Sequence, residues 1–435
     1  MLFSLMRRSI AVLLAGCLAL ASFPATAASA MTETQLPRNP TKPTEVVIIG
    51  TRHSAQLEYE DHAPARLRAL LNRIAPAAVG VETTPWWYEK DVFFEIAYES
   101  YGVAVPWAEE KGKEVRPVDW QARGIELVNV LAWPRIVPDA SSDQSPSSSS
   151  EDVSLDSWDM RELLFADTSE WRDAVNREYA HSTFDPNPAN EAMRRYMLHR
   201  NLMIAREIVN LAADYEGQRV AIVLGAAHKP DLDLILASIP NIVVRNASEW
   251  GRVTEEEVAA EERRPDQLAI LWFNMASGRI EPGDVEIARM DTLLSRLEKD
   301  EPNDPEVRFL RARWYEVKGE TDRALPIYSH LAWGIQWADR PFTYPDRSLA
   351  RRVHTWNTEE LRELMVGEPA EFGLGNVLSP VANLTIRQRV LYELAQQQID
   401  QPARHRARKE LMDAGLNPTQ IQQLQELLSS TPKLP

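Results

Sequence analysis

The sequence predicts an α/β fold: a mostly parallel sheet flanked by helices, followed by an all-α C-terminal region containing a helical hairpin like a tetratricopeptide repeat. Two observations carry that expectation. From 45 to 250, short β-rich apolar runs alternate with helical stretches, the pattern of a parallel sheet covered by its crossover helices. After "EEEVAAEERRPDQ" the strand signals stop, and Leu, Ala and Trp recur at helical spacing to the C-terminus. A chain of 435 residues suggests more than one ordinary core.

The candidate strands are "EVVIIG", "AAVGVE", "EVRPVD", "RVAIVLG" and "NIVVRN". Between the first two, "DHAPARLRALLNRIAP" reads as a helix with Asp61 as N-cap, Pro64 in the first turn, and Leu67, Leu70, Leu71 and Ile74 on its inner face. A second helical connection, "PWWYEKDVFFEIAYESYGVAVPWAEEKG", carries Trp86, Trp87, Phe93, Phe94, Tyr98 and Tyr101. The aromatic cluster suits a core, and its place after Glu82 also permits a lid. Serine-rich 139–157 reads as an insertion without packed structure. Helical patterns return from Trp158 and lead into "RVAIVLG". In 260–435, Ala312, Tyr315, Gly319, Ala324 and Tyr328 match one tetratricopeptide unit, and "GDVEIARMDTLLSRLEKDEPND" resembles half of a preceding copy. Such a region serves either as a protein-binding surface or as an annex packed on the sheet domain.

The formal charge of -16 excludes a nucleic-acid partner in this reading, because phosphates would be repelled across most of the surface. Residues 1–30 read as a signal peptide: a basic start, the apolar "IAVLLAGCLALA", and the small residues "ATAASA". "LLAGC" resembles a lipobox that would lipidate Cys17 and anchor the chain to a membrane. Cleavage near Ala27 or Ala30 would instead release it, and a start at Met31 would leave it cytoplasmic. Residues 31–44 form a linker. Cys17 is the sole cysteine, so a mature chain has neither an internal disulfide nor thiol chemistry, and any metal falls to His and carboxylates.

Ligands of open α/β sheets sit beyond the carboxyl ends of the strands. Four runs deliver acid, base or metal-ligand types there: His53, Glu82, Asp119 and His228. Both histidines belong to a Gly-x-x-His, and Gly50 and Gly225 let the chain turn closely against a ligand. His228 also precedes Pro230, which suits a helix start, placing the imidazole at a helix N-terminus. A lone strand-end histidine is usually a structural one, and His62, His181, His199, His330, His354 and His405 are read so. Glu82 and Asp119 also suit loop or capping roles. Arg200, next to Asn201 at the start of "LMIAREIVNLAADY", is a candidate clamp for a carboxylate or phosphate, or else a surface partner of Glu207. Arg52 is placed to touch an anion.

In this order, "IIGTRHS", "VGVE", "HRN" and "VLGAAHKPDL" resemble the TraB/Tiki superfamily, with its erythromycin-esterase and ChaN-like relatives; "EVRPVDW" is similar to a bacterial branch with a strand ending in Asp. The likeness covers 45–250. It implies a ChaN/Tiki-like fold with both Gly-x-x-His motifs and Glu82 in one site, and Arg200 in support. Members resemble metal-dependent proteases, metal-independent esterases or haem-binding lipoproteins.

Three expectations follow. The first is a metal-assisted hydrolase of the cell envelope acting on a peptide or ester. His53, Glu82 and His228 hold Zn, Mn, Co or Fe, Asp119 or another carboxylate not bound to the metal takes a proton, and Arg200 stabilises an oxyanion. The second is a non-catalytic envelope protein that binds haem through the histidines or a protein through the helical region. The third is a metal-independent esterase with His53 as base and Glu82 as its orienter.

Overall fold

The computed structural model describes residues 39–93, 97–121, 162–184, 188–276, 287–334, 338–344, 347, 381, 384–397 and 401–430. The signal peptide with Cys17, most of the linker, Phe94, the serine-rich insert, the side chain of His181 and all of His354 lie outside these residues.

Five parallel strands form one sheet in the order β3-β2-β4-β1-β5. They are β1 (Thr44–Thr51), β2 (Ala78–Val81), β3 (Glu114–Pro117), β4 (Arg219–Gly225) and β5 (Ile242–Asn246). Four lie within the segments expected from sequence, and β1 extends its own by one residue at each end. β1 and β4 read as unbroken apolar runs because both their faces are covered. One face gives Val46, Ile48, Val220 and Ile222 to a cluster with Ile204, Ile208 and Leu211. Those three lie on the long helix Pro188–Asp214, here α6. The other face, with Val47, Ile49, Val79 and Val223, packs on Leu67, Leu70, Leu71 and Ile74 of α2, Pro64–Ile74.

α2 starts at Pro64, but its N-cap is Ala63, which offers no side-chain cap. Asp61, expected as the cap, lies instead in a short 3-10 turn, Glu60–His62, between α1 (Ala55–Glu58) and α2. The connection from β2 to β3 is also more broken than its sequence suggests. After α3 (Pro85–Glu89) it forms a π-helical turn, Glu99–Ala104, that runs into α4, Val105–Glu110. Trp87 and Phe93 are core, while Trp86 is half-buried.

The C-terminal region is helical. α8 (Glu255–Ala260) and α9 (Arg264–Met275) begin it, already within "EEEVAAEERRPDQ". α10 (Ile287–Asp300) follows, then α11 (Pro305–Val317) and α12 (Thr321–Trp333), which form a hairpin. Gly319 turns it with φ of 75°, and Ala312, Ala324 and Tyr328 are sealed between its helices. α13 (Ile386–Gln396), α14 (Gln401–Met412) and α15 (Pro418–Ser430) complete it.

This region shares one hydrophobic cluster with the sheet, running from Val47 through Leu271 and Trp314 to Leu424. Polar anchors reinforce the join. Buried Arg68 of α2 pairs with Asp266 of α9 at 2.8 Å, Tyr98 donates to the same carboxylate at 2.7 Å, and Asn274 donates to the carbonyl of Leu57. No helix among the described residues is long and apolar enough to cross a membrane.

Candidate functional site

Strand order is what brings the expected residues together. β4 lies between β2 and β1, so the residue following β2, Glu82, and the turn following β1, with His53, flank the end of the strand that leads to His228. Beyond β4 the chain makes a 3-10 turn, Ala226–His228, and enters α7, Lys229–Ala237. His228 is thus the N-cap of that helix, with Pro230 in its first turn.

Glu82 is the hub. Its Oε1 accepts from Arg200 Nη2 at 2.8 Å and lies 3.2 Å from His228 Nε2. Oε2 accepts from the backbone N–H of Gly225 at 2.5 Å and faces His53 Nε2 at 3.9 Å. The approach explains Gly225: a Cβ there would lie 2.9 Å from His53 Nε2 and 3.2 Å from Glu82 Oε2. Arg200 also donates from Nε and Nη2 to the two oxygens of Asp119, each at 2.8 Å. Its partners are therefore Glu82 and Asp119, and not Glu207, which pairs with Arg206.

All five sequence candidates, His53, Glu82, Asp119, Arg200 and His228, fall in this constellation. Arg52 projects aside: its guanidinium stacks over the ring of Tyr59 and donates to that hydroxyl at 3.3 Å.

Two groups were not assigned a role from sequence. Glu99, wholly buried in the π-helical turn, meets His53 Nδ1 at 2.6 Å. Asn201 Oδ1 meets His228 Nδ1 at 2.5 Å. The buried carboxylate of Glu99 lay in an aromatic segment; its one sequence signal is an acid inside the otherwise uncharged run "IAYESYGVAVPW".

Electrostatics follow from these contacts. Burial pulls the His53 pKa down, but Glu99 and Glu82 together outweigh it and raise the value to about 9. Burial penalises charge on Glu82 too, yet His228, His53 and Arg200 hold its carboxyl well below the ordinary range. Arg200 is pushed well above its ordinary value, desolvation being overcome by Asp119 and Glu82.

Comparison with family models, curated proteins and solved structures returns no match.

Among the described residues, no group of three or more His, Cys, Asp or Glu stands in an arrangement that would hold a metal ion as it is. The donor chemistry nonetheless fits a divalent cation. Both Nδ1 atoms are engaged, by Glu99 and Asn201, so the histidines present Nε2 toward Glu82, and outer partners of this kind orient metal-binding imidazoles. Glu82 and Asp119 pair with Arg200 and Glu99 pairs with His53, three carboxylates against one guanidinium. With neutral imidazoles that leaves two negative charges, which two imidazolium protons or one divalent ion would neutralise. Holding the ion would require Glu82 to exchange one present contact for it.

Proposed function

We propose that this chain is a cell-envelope hydrolase of the TraB/Tiki type, cleaving an ester or amide bond with water as nucleophile and His53 moving the proton. One observation carries the reading. The His53 side chain is 28% exposed, whereas Glu82, Asp119, Arg200, His228 and Glu99 are all nearly sealed. A buried charged network thus meets solvent through one imidazole.

Glu99 accepts the Nδ1 proton of His53, which leaves Nε2 to act as general base, the orienting logic of a carboxylate behind a catalytic histidine. As water adds to the substrate carbonyl, its proton passes to Nε2. The tetrahedral intermediate then breaks its bond to the leaving alkoxide or amine, and the imidazolium returns the proton to that group. Arg200 keeps a fixed positive charge beside Glu82, the sign that favours a developing oxyanion. Asp119, with both oxygens on Arg200, serves in this reading as a positioning residue.

Where a divalent cation binds, His53, Glu82 and His228 would hold it, and it would supply carbonyl polarisation and a more acidic water. That second reading is favoured by the engagement of both Nδ1 atoms, which leaves each Nε2 toward Glu82.

Both are tested by presenting the purified chain with ester and peptide libraries after chelation and after reloading with Zn, Mn, Co or Fe. Turnover surviving the chelator assigns the proton-transfer reading; turnover regained only with an ion assigns the metal-assisted one. No cleavage under any condition refutes both.

A further inference from the structure

We infer that Asp231, held by Arg194, fixes the hydrogen of His228 through Asn201, so that Nδ1 donates to the Asn201 carbonyl and Nε2 is aimed at Glu82. Neither Asp231 nor Arg194 has a part in the reaction described above. The weight of this device for catalysis rests on the hydrolase reading, but the tautomer itself does not.

The orientation of the Asn201 amide decides the matter. An Asn side chain offers one acceptor and two donors, and which end points where must come from its partners. Asp231 faces Asn201 Nδ2 at 2.7 Å and, being a carboxylate, can only accept. Reversing the amide would set two acceptors against each other in a buried place, since Asp231 is 8% exposed and Asn201 is fully buried. Asn201 Oδ1 therefore points at His228, and His228 Nδ1 must donate to it.

The carboxylate is held in turn. Arg194 donates from Nη1 to Asp231 Oδ2 at 2.9 Å and from Nη2 to Oδ1 at 3.1 Å. Its guanidinium lies 3.8 Å from the ring centroid of Tyr179, whose hydroxyl donates to the carbonyl of Ala227 in the Gly-x-x-His turn. Tyr179 lies on α5, Ser169–Phe184, and Arg194 and Asn201 on α6, so two helices and the α7 start fix one hydrogen.

The test is heteronuclear NMR of the full chain with its histidines labelled in heavy nitrogen, which reads the hydrogen on each ring nitrogen. His228 is assigned by its absence in His228→Gln. Wild type is expected to show a protonated Nδ1. Asp231→Asn frees the amide to turn and should leave Nδ1 bare, with a hydrogen on Nε2 toward Glu82. Adding Asn201→Asp to Asp231→Asn exchanges carboxylate and amide, restores an obligate acceptor at Nδ1, and should return the wild-type pattern. If the hydrolase reading holds, kcat falls in the single variant with KM unchanged and recovers in the double. A wild-type spectrum with a bare Nδ1, an unchanged spectrum in Asp231→Asn, or no recovery in the double variant overturns the inference. A correct spectrum with no turnover in wild type would sink only the hydrolase reading.

Discussion

At the scale of single residues, His53 has to be both held and accessible. Glu99 holds it, and Glu99→Gln removes the first of the two carboxylates that outweigh burial. Its pKa should then drop, so the rising limb of kcat/KM, governed by free imidazole, should move from near pH 9 to lower pH. A pH profile of both proteins checks this, and a limb that stays in place rules out Glu99 as the partner that matters. Gly225→Ala puts a methyl within 2.9 Å of His53 Nε2 and should cut kcat/KM at least about tenfold with little loss of stability. Activity and melting temperature measured together would show it. His53 and His228 were legible because a glycine turn and an imidazole recur after two apolar strands. Glu99 was not, because its meaning comes from a π-helical turn that aims it across the fold. Asp231 reads locally as an ordinary acid in a helix's first turn, and only its approach to Arg194 and Asn201, 37 and 30 positions earlier in the chain, gives it partners.

Among the elements, the strands were readable for a physical reason: a parallel strand covered on both faces is apolar throughout, and β1 and β4 are. Their order was not, since Gly-x-x-His and strand-end acids are compatible with several arrangements. The placement of β4 between β1 and β2 is a property of tertiary packing. The π-helical turn is the other unread element. It is braced by Tyr98, whose hydroxyl donates to Asp266, and by Arg68, which donates to the carbonyl of Gly102 and to Asp266. Asp266→Ala leaves the Arg68 charge buried without its carboxylate. It should cost about 3–5 kcal/mol, read as a shifted urea midpoint. A shift near zero would mean that α9 does not brace the turn.

The whole molecule joins sheet and helical tail in one apolar cluster. A chain ending after residue 262 would expose that face of the sheet, and it should aggregate or bind hydrophobic dyes; a monomeric, cooperatively melting fragment would contradict the shared core. The same whole-chain stability carries a pH signature. The His53 pKa is raised from 6.5 to about 9 on folding, so its contribution is complete below 6.5 and fades as pH rises through about 9. Unfolding free energy should therefore fall over that window by on the order of 2 kcal/mol in wild type and less in His53→Gln. The central claim, that the strand-end constellation is a hydrolytic site, is met most directly by comparing wild type with His53→Gln on the ester or peptide that wild type cleaves. Turnover should fall by roughly a hundredfold or more in a protein whose circular dichroism is unchanged. Equal turnover in the folded variant would contradict it.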